Sequence, residues 1–337
     1  MKHTIDLKKY NLRTDLIIEN NTEFQDKTIN NYDNVTISIV NLDEFEAKLI
    51  NKKKGTYITI EFDDITDSSN MKKVEEAIIK CLKIILKDTI KRDFSCLIVG
   101  LGNVDSTPDS LGPKVISQIT VTRHLFLIGD VDSTYNCISA FIPGVTGNTG
   151  IETSELIKNA TDSVKPDFII VIDALASSSI ERLNKTIQIT DTGISPGSGI
   201  GNSRKEISYD TYKVPVIAIG VPTVVDAVSV VSDTINYMHK NYAFNKKYLN
   251  SPINRLISSS KINYLKEKIE IEEEDKSYLL GLVGTLNEKE IRQLIYEVLT
   301  PIGYNLMVTP KEVDFEIRKL SEVISNSINK VLKKTTE

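Results

Sequence analysis

The strongest signals in the hydrophobic pattern of the chain are short, unbroken apolar runs. Phe168 to Ile172 is apolar at every position, which predicts a strand buried on both faces of a parallel sheet. Cys96 to Val99 and Val214 to Val221 read the same way. Val35 to Val40 and Tyr57 to Phe62 are rich in β-branched residues and predict a small antiparallel element, with a turn at Lys52, Lys53, Lys54 and Gly55 between them. Further strands are expected over Val121 to Ile128 and Cys137 to Ile142, and where Ile187 and Ile189 alternate with polar residues. Elsewhere the period is helical. Met71, Val74, Ile78, Ile79, Leu82, Ile85 and Leu86 share one helix face, with Asp67, Ser68 or Ser69 as the cap. Helices are also predicted over Ala176 to Arg182, after a cap at Thr149 or Thr153, through Pro222 to His239, and over Glu288 to Leu299 and Lys311 to Leu332.

Strands that alternate with helical patterns predict an α/β fold of three layers, with helices on both faces of a sheet and a small accessory β element. Residues 1 to about 30 are polar and rich in Asn, which predicts an exposed arm. From Asn241 to Lys276 the composition shifts to Asn, Lys and Ser, ending in an acidic run from Glu270 to Asp275. That stretch is expected to be a variable insertion, without catalytic residues, in a single α/β domain.

Composition narrows the function classes. The 337 residues are 40% hydrophobic and 26% charged, an ordinary globular balance, and the formal net charge is −5. With no face that concentrates Lys and Arg among aromatics, direct nucleic-acid binding is not expected. Cys81, Cys96 and Cys137 contain no C-x-x-C spacing and suit free thiols in a reducing cytoplasm. Nowhere do eighteen apolar residues run together, and Met1 to Asn20 is studded with charge, so neither a membrane span nor a signal peptide is expected.

Two of the predicted strands end in acids. Phe168 to Ile172 runs into Asp173, and Cys96 to Val99 runs into a turn opened by Gly100 and Gly102 that carries Asp105 and Asp109. Ligands of open α/β sheets sit beyond the carboxyl ends of strands, so Asp109 and Asp173 face one crevice if their strands are neighbours. The plainer reading makes Asp173 a helix cap. Other motifs fail on physical grounds. Gly100-Leu101-Gly102 lacks the third glycine of a dinucleotide fingerprint, because Asp105 stands there and would repel a pyrophosphate. Gly193-Ile194-Ser195-Pro196-Gly197 matches a serine-hydrolase elbow, but Pro196 lacks the N–H that the oxyanion needs. Asp191-Thr192-Gly193 spells an aspartic-protease signature that belongs to an all-β fold, so Asp191 reads as a turn residue near the site. His3, His124 and His239 have no ligand spacing. An oxygen-ligated ion between Asp109 and Asp173 is a second reading of that pair, but paired acids without a third ligand more often share a proton, so no metal or cofactor is expected.

Several long motifs in order carry a family resemblance: GLGNVDSTPDSLGP, VTRHLF, PGVTGNTGIETSE, KPDFIIVIDALASSSIERLNKTIQITDTGISPGSGIGNSRKEIS, VPVIAIGVPTVVDA and LMVTPKEVD. Together they resemble the germination proteases of endospore-forming bacteria over nearly the whole chain. The resemblance implies an atypical aspartic endopeptidase that degrades small acid-soluble spore proteins, confined to the forespore and spore core. It also implies a homotetramer and a fold similar to that of hydrogenase-maturation peptidases. Matched by motif, the catalytic acids fall on Asp109 and Asp173. The family's self-processing site near R-T-D-L falls on Arg13-Thr14-Asp15-Leu16, making residues 1–15 a propeptide and the scissile bond that between Asp15 and Leu16. The competing expectations are a metal-dependent peptidase of the hydrogenase-maturation type and a non-catalytic binding protein of the same fold.

Overall fold

The computed structural model describes residues 14–20, 23–87, 89–90, 93–129, 132, 134–197, 205–249, 264, 268–299 and 306–334. Arg13, the glycine-rich residues from 198 to 201 and most of the expected insertion after 249 lie outside them. In chain order the elements are β1 (Lys27–Tyr32), β2 (Val35–Leu42), α1 (Glu44–Leu49), β3 (Gly55–Phe62), α2 (Ser68–Ile85), β4 (Ser95–Gly100), α3 (Leu111–Ile116), α4 (Arg123–Ile128), β5 (Cys137–Phe141), α5 (Thr146–Thr149) and α6 (Thr153–Val164). They continue as β6 (Phe168–Ser177), β7 (Thr186–Thr190), α7 (Tyr209–Tyr212), β8 (Val216–Asp226), α8 (Ala227–Leu249), α9 (Glu273–Leu280), α10 (Glu288–Leu299), β9 (Met307–Val308) and α11 (Val313–Leu332).

The chain divides into two compact units. Of the described residues, the larger comprises those between 14 and 177, 181 and 224, and 309 and 334, and holds a sheet in the order β1-β2-β3-β7-β8-β6-β4-β5. Strands β5, β4 and β6 pair in parallel, while β1, β2, β3, β7 and β8 pair antiparallel in turn. The parallel half is made of the unbroken apolar runs, because helices cover both of its faces. On one face Phe168, Ile170 and Ile172 pack with Ile78 and Leu82 of α2, Leu111 and Val115 of α3, and Ile317, Leu320 and Ile324 of α11. On the other, Ile169 and Val171 pack with Ile157 of α6 and Tyr212 of α7. These are the three layers that the alternation of patterns predicts. A smaller cluster joins Ile17 to Val40, Leu42, Ala47 and Tyr57.

Of the described residues, the smaller unit comprises 178–180 and those between 225 and 308. In it the end of β8 pairs antiparallel with β9, Val225 opposite Val308, and α8 packs on α9 and α10. Among the described residues no helix is long and apolar enough to cross a membrane.

Four elements differ from the sequence reading, one of them the helix expected from Pro222, where β8 instead continues to Asp226 and α8 begins at Ala227. Val121 to Ile128 turns into α4 rather than a strand. The Thr122 hydroxyl donates to the Asn136 carbonyl at 2.5 Å and accepts from Ile138 N–H at 2.9 Å, which fixes the chain where the helix begins, and Gly129 ends it at φ +75°. The helix expected over Ala176 to Arg182 is instead the end of β6 followed by a 3-10 turn, Ile180–Arg182. Strand geometry continues past Asp173 because Ala176 finds backbone and side-chain partners in Asp15. The exposed arm is only partly exposed: Leu16 and Ile17 are fully buried, and Lys27–Tyr32 forms an edge strand.

Candidate active site

β4 and β6 lie side by side with Gly100 opposite Ile172, and Leu101 N–H extends the ladder by donating to the Ile172 carbonyl at 2.8 Å. Asp173 follows at once. Alternation sets its side chain on the face of Ile169 and Val171, where it is 6% exposed, and its Oδ1 accepts from Ala174 N–H at 2.9 Å.

The turn after β4 folds back over the strand end for a steric reason. At Gly102, φ is +113° and a Cβ would meet the Asp109 carbonyl oxygen at 1.9 Å. Asn103 N–H donates to that carbonyl at 3.0 Å and closes the loop. Asp109 ends a 3-10 turn, Thr107–Asp109, in which its N–H donates to Ser106 O at 2.9 Å. The carboxylate of Asp109 lies over Gly102, with Oδ1 at 3.1 Å from where a Cβ would stand. This turn packs against β6. Asp109 is half-buried in this turn, beside β6, the strand on which Asp173 follows the last residue paired with β4. Among the described residues no group of three or more His, Cys, Asp or Glu side chains converges as an ion-binding cluster.

The same sheet face receives the segment Thr14 to Asn20. Asp15 N–H donates to the Ala176 carbonyl at 3.2 Å, and Ala176 N–H donates to the Asp15 carboxylate at 2.9 Å. The Asp15 carbonyl accepts from Lys52 Nζ at 3.2 Å and from Gln188 Nε2 at 3.1 Å, while Gln188 Oε1 accepts from Ile17 N–H at 2.7 Å. Lys52 also donates to the Thr14 carbonyl at 3.1 Å. Burial pulls the Lys52 ammonium below its ordinary pKa, against the carboxylates of Asp15 and Glu19, which raise it. Glu19 accepts from the hydroxyls of Thr14 and Ser177 and pairs with Arg182 at 3.4 Å. On the other side of the Asp15–Leu16 bond the contacts are apolar. Leu16 and Ile17 are 0% exposed, a burial worth about 2 kcal/mol each.

The remaining sequence candidates lie elsewhere. Asp191 Oδ1 accepts from Thr56 N–H at 2.8 Å and ties the end of β7 to β3, as a turn residue does. Ser195 is exposed. His239 is buried in the smaller unit, and burial lowers its pKa. The sequence reading missed Lys52, Gln188, Glu19 and Arg182. Two signals for them exist: a Gln alternating with Ile187 and Ile189 in a strand flanked by apolar ones, and Ile17-Ile18 inside an otherwise polar arm.

A family model described as Germination protease matches residues 8–337, so the match includes Asp15, Asp109 and Asp173. Curated relatives carry the same description. The protein of Bacillus cytotoxicus is 46% identical over 353 residues, and that of Bacillus mycoides 45% identical over 353, each covering 98% of this chain and 96% of the relative. The protein of Priestia megaterium is 45% identical over 356 residues with the same coverage. The chain belongs to the germination protease family, a family of peptide hydrolases.

Proposed function

We propose that the protein is a sequence-specific endopeptidase that degrades small acid-soluble spore proteins during germination, made as a zymogen that removes its own residues 1–15, with Asp109 and Asp173 activating the attacking water. The observation that carries this reading is the pairing of β4 with β6 as far as Ile172, with Asp173 next on β6 and the turn that carries Asp109 packed against β6. Two close carboxylates resist ionising together, so they share one proton and titrate as a pair. The ionised member takes a proton from water as it attacks the peptide carbonyl, and the protonated member gives one to the leaving amine. The reaction consumes peptide and water alone. The family likeness supports a homotetramer working in the forespore and spore core. The self-processing site supports a preference for an acidic residue followed by an apolar one.

The test is digestion of a small acid-soluble spore protein by chain 16–337, read by mass spectrometry of the products. Wild type cuts at one defined bond with or without chelator. Asp109→Asn and Asp173→Asn, which keep shape and lose the proton relay, fall by at least about a hundredfold. Full activity in either variant discards the acid pair, and loss of activity with chelator moves the reaction to a metal.

A further inference from the structure

We infer that Lys52 and Gln188 form a carbonyl-binding cradle that holds and polarises the Asp15 carbonyl for hydrolysis of the Asp15–Leu16 bond. This inference rests on the proposal that self-processing occurs at that bond.

Four observations converge on one peptide group. First, the Asp15 carbonyl oxygen receives two side-chain donors, Lys52 Nζ at 3.2 Å and Gln188 Nε2 at 3.1 Å. One main-chain oxygen with an ammonium and an amide aimed at it is the geometry that stabilises an oxyanion. Second, the group is held from both sides. Asp15 is tied to Ala176 through its N–H and its carboxylate, and Ile17 N–H is tied to Gln188 Oε1. Third, Leu16 and Ile17 are locked by full burial, so the bond cannot drift away from its donors. Fourth, the cradle shares a sheet face with Asp173. Ile187 and Ile189 face the larger core, so Gln188 stands on the opposite face, as Asp173 does by alternation with Ile170 and Ile172. Ala176, which pairs with Asp15, lies on the same strand as Asp173.

In the reaction the water gives one proton to the ionised acid of the pair and its oxygen bonds to the Asp15 carbonyl carbon while the π electron pair moves onto the carbonyl oxygen. That oxygen is already facing Lys52 and Gln188, and the new negative charge strengthens both hydrogen bonds. The oxyanion's electron pair then re-forms the carbonyl as the bond to the Leu16 nitrogen breaks, the nitrogen takes a proton from the protonated acid and leaves as the amine, and the new Asp15 carboxylic acid loses its proton to become a carboxylate. The partial burial of Lys52 serves the same end, because a cation withdrawn from water acts more strongly on a developing charge. Gln188 has two separable tasks: its oxygen docks the arm through Ile17, and its nitrogen contacts the reacting carbonyl.

That separation supplies the test. Gln188→Glu keeps an acceptor for Ile17 N–H and replaces the donor on the Asp15 carbonyl with an acceptor. Lys52→Met removes the ammonium at similar length, and Lys52→Arg restores a cationic donor. Full-length chains are followed by intact mass for loss of residues 1–15, with hydrogen exchange of the Thr14–Asn20 segment measured before processing begins. The expected result is processing slowed about tenfold or more in Gln188→Glu and Lys52→Met, partly regained in Lys52→Arg, with exchange in the segment unchanged. Unchanged rates in the first two variants overturn the cradle. So does slowing that occurs only together with rapid exchange of the segment, which makes both residues docking contacts alone. A wild-type chain that retains residues 1–15, or is cut at another bond, discards the self-processing reading itself, whereas normal wild-type processing with unaffected variants discards the cradle only.

Discussion

At the scale of single residues, the candidate site depends on atoms that are missing as much as on the two acids. Gly102 stands where a Cβ would collide with the Asp109 carbonyl at 1.9 Å, at a φ of +113° that other residues avoid. Gly102→Ala therefore has to open the loop that returns Asp109 to β6. The expected outcome is a stability loss of about 1–3 kcal/mol, read from the urea midpoint, together with loss of proteolysis in the folded fraction. Gly129 is the control. It also has positive φ, at +75°, but nothing lies within 4 Å of its missing Cβ, so Gly129→Asn is expected to keep both stability and activity. Equal behaviour of the two variants would mean that backbone conformation alone, and not the approach of Asp109, makes Gly102 necessary.

At the scale of elements, α2 shows what a start signal decides. The Asp67 carboxylate accepts from Ser69 N–H and Asn70 N–H, both at 2.9 Å, and satisfies two of the helix's unpaired donors. Asp67→Ala is expected to cost about 1 kcal/mol in urea unfolding, whereas Ser68→Ala, inside the first turn, costs little. The sequence narrowed this cap to three neighbouring residues and could not choose among them, because the choice depends on where the chain enters the helix. Strands were most legible where burial on both faces left an unbroken apolar run, as in β4 and β6. β1 was not, since KTINNY is an edge strand with almost every side chain exposed and carries no periodicity of burial. Nor was the extension of β6, whose partner is the distant Asp15. Lys52 and Gln188 escaped for a related reason: both act on a main-chain carbonyl far away in the sequence, and nothing local to either residue announces that contact.

At the scale of the whole molecule, the three-layer core sets how stability responds to alkaline pH. Cys81 lies on the buried face of α2 and Cys96 inside β4, both 0% exposed, and burial pushes the Cys81 thiol up to about 12 and the Cys96 thiol well above its ordinary value. Tyr212, 8% exposed, is pushed up to about 12, again chiefly by burial, with Glu152 adding to it. In each case the neutral form is favoured by folding. Below about pH 7.5 both states hold the proton and stability is independent of it. Above that, the unfolded chain releases protons that the folded chain retains, so stability falls as pH rises toward the folded values, by about 1.4 kcal/mol per pH unit for each group involved. The urea midpoint is therefore expected to change little below about pH 7.5, to begin falling near pH 8.5 and to drop steeply between about pH 9 and 12. Cys81→Ala leaves a small cavity and lowers the whole curve, yet its alkaline limb is shallower because one titrating group has gone. Parallel limbs in wild type and Cys81→Ala would show that Cys81 ionises as readily folded as unfolded, which its place on the buried face of α2 opposes.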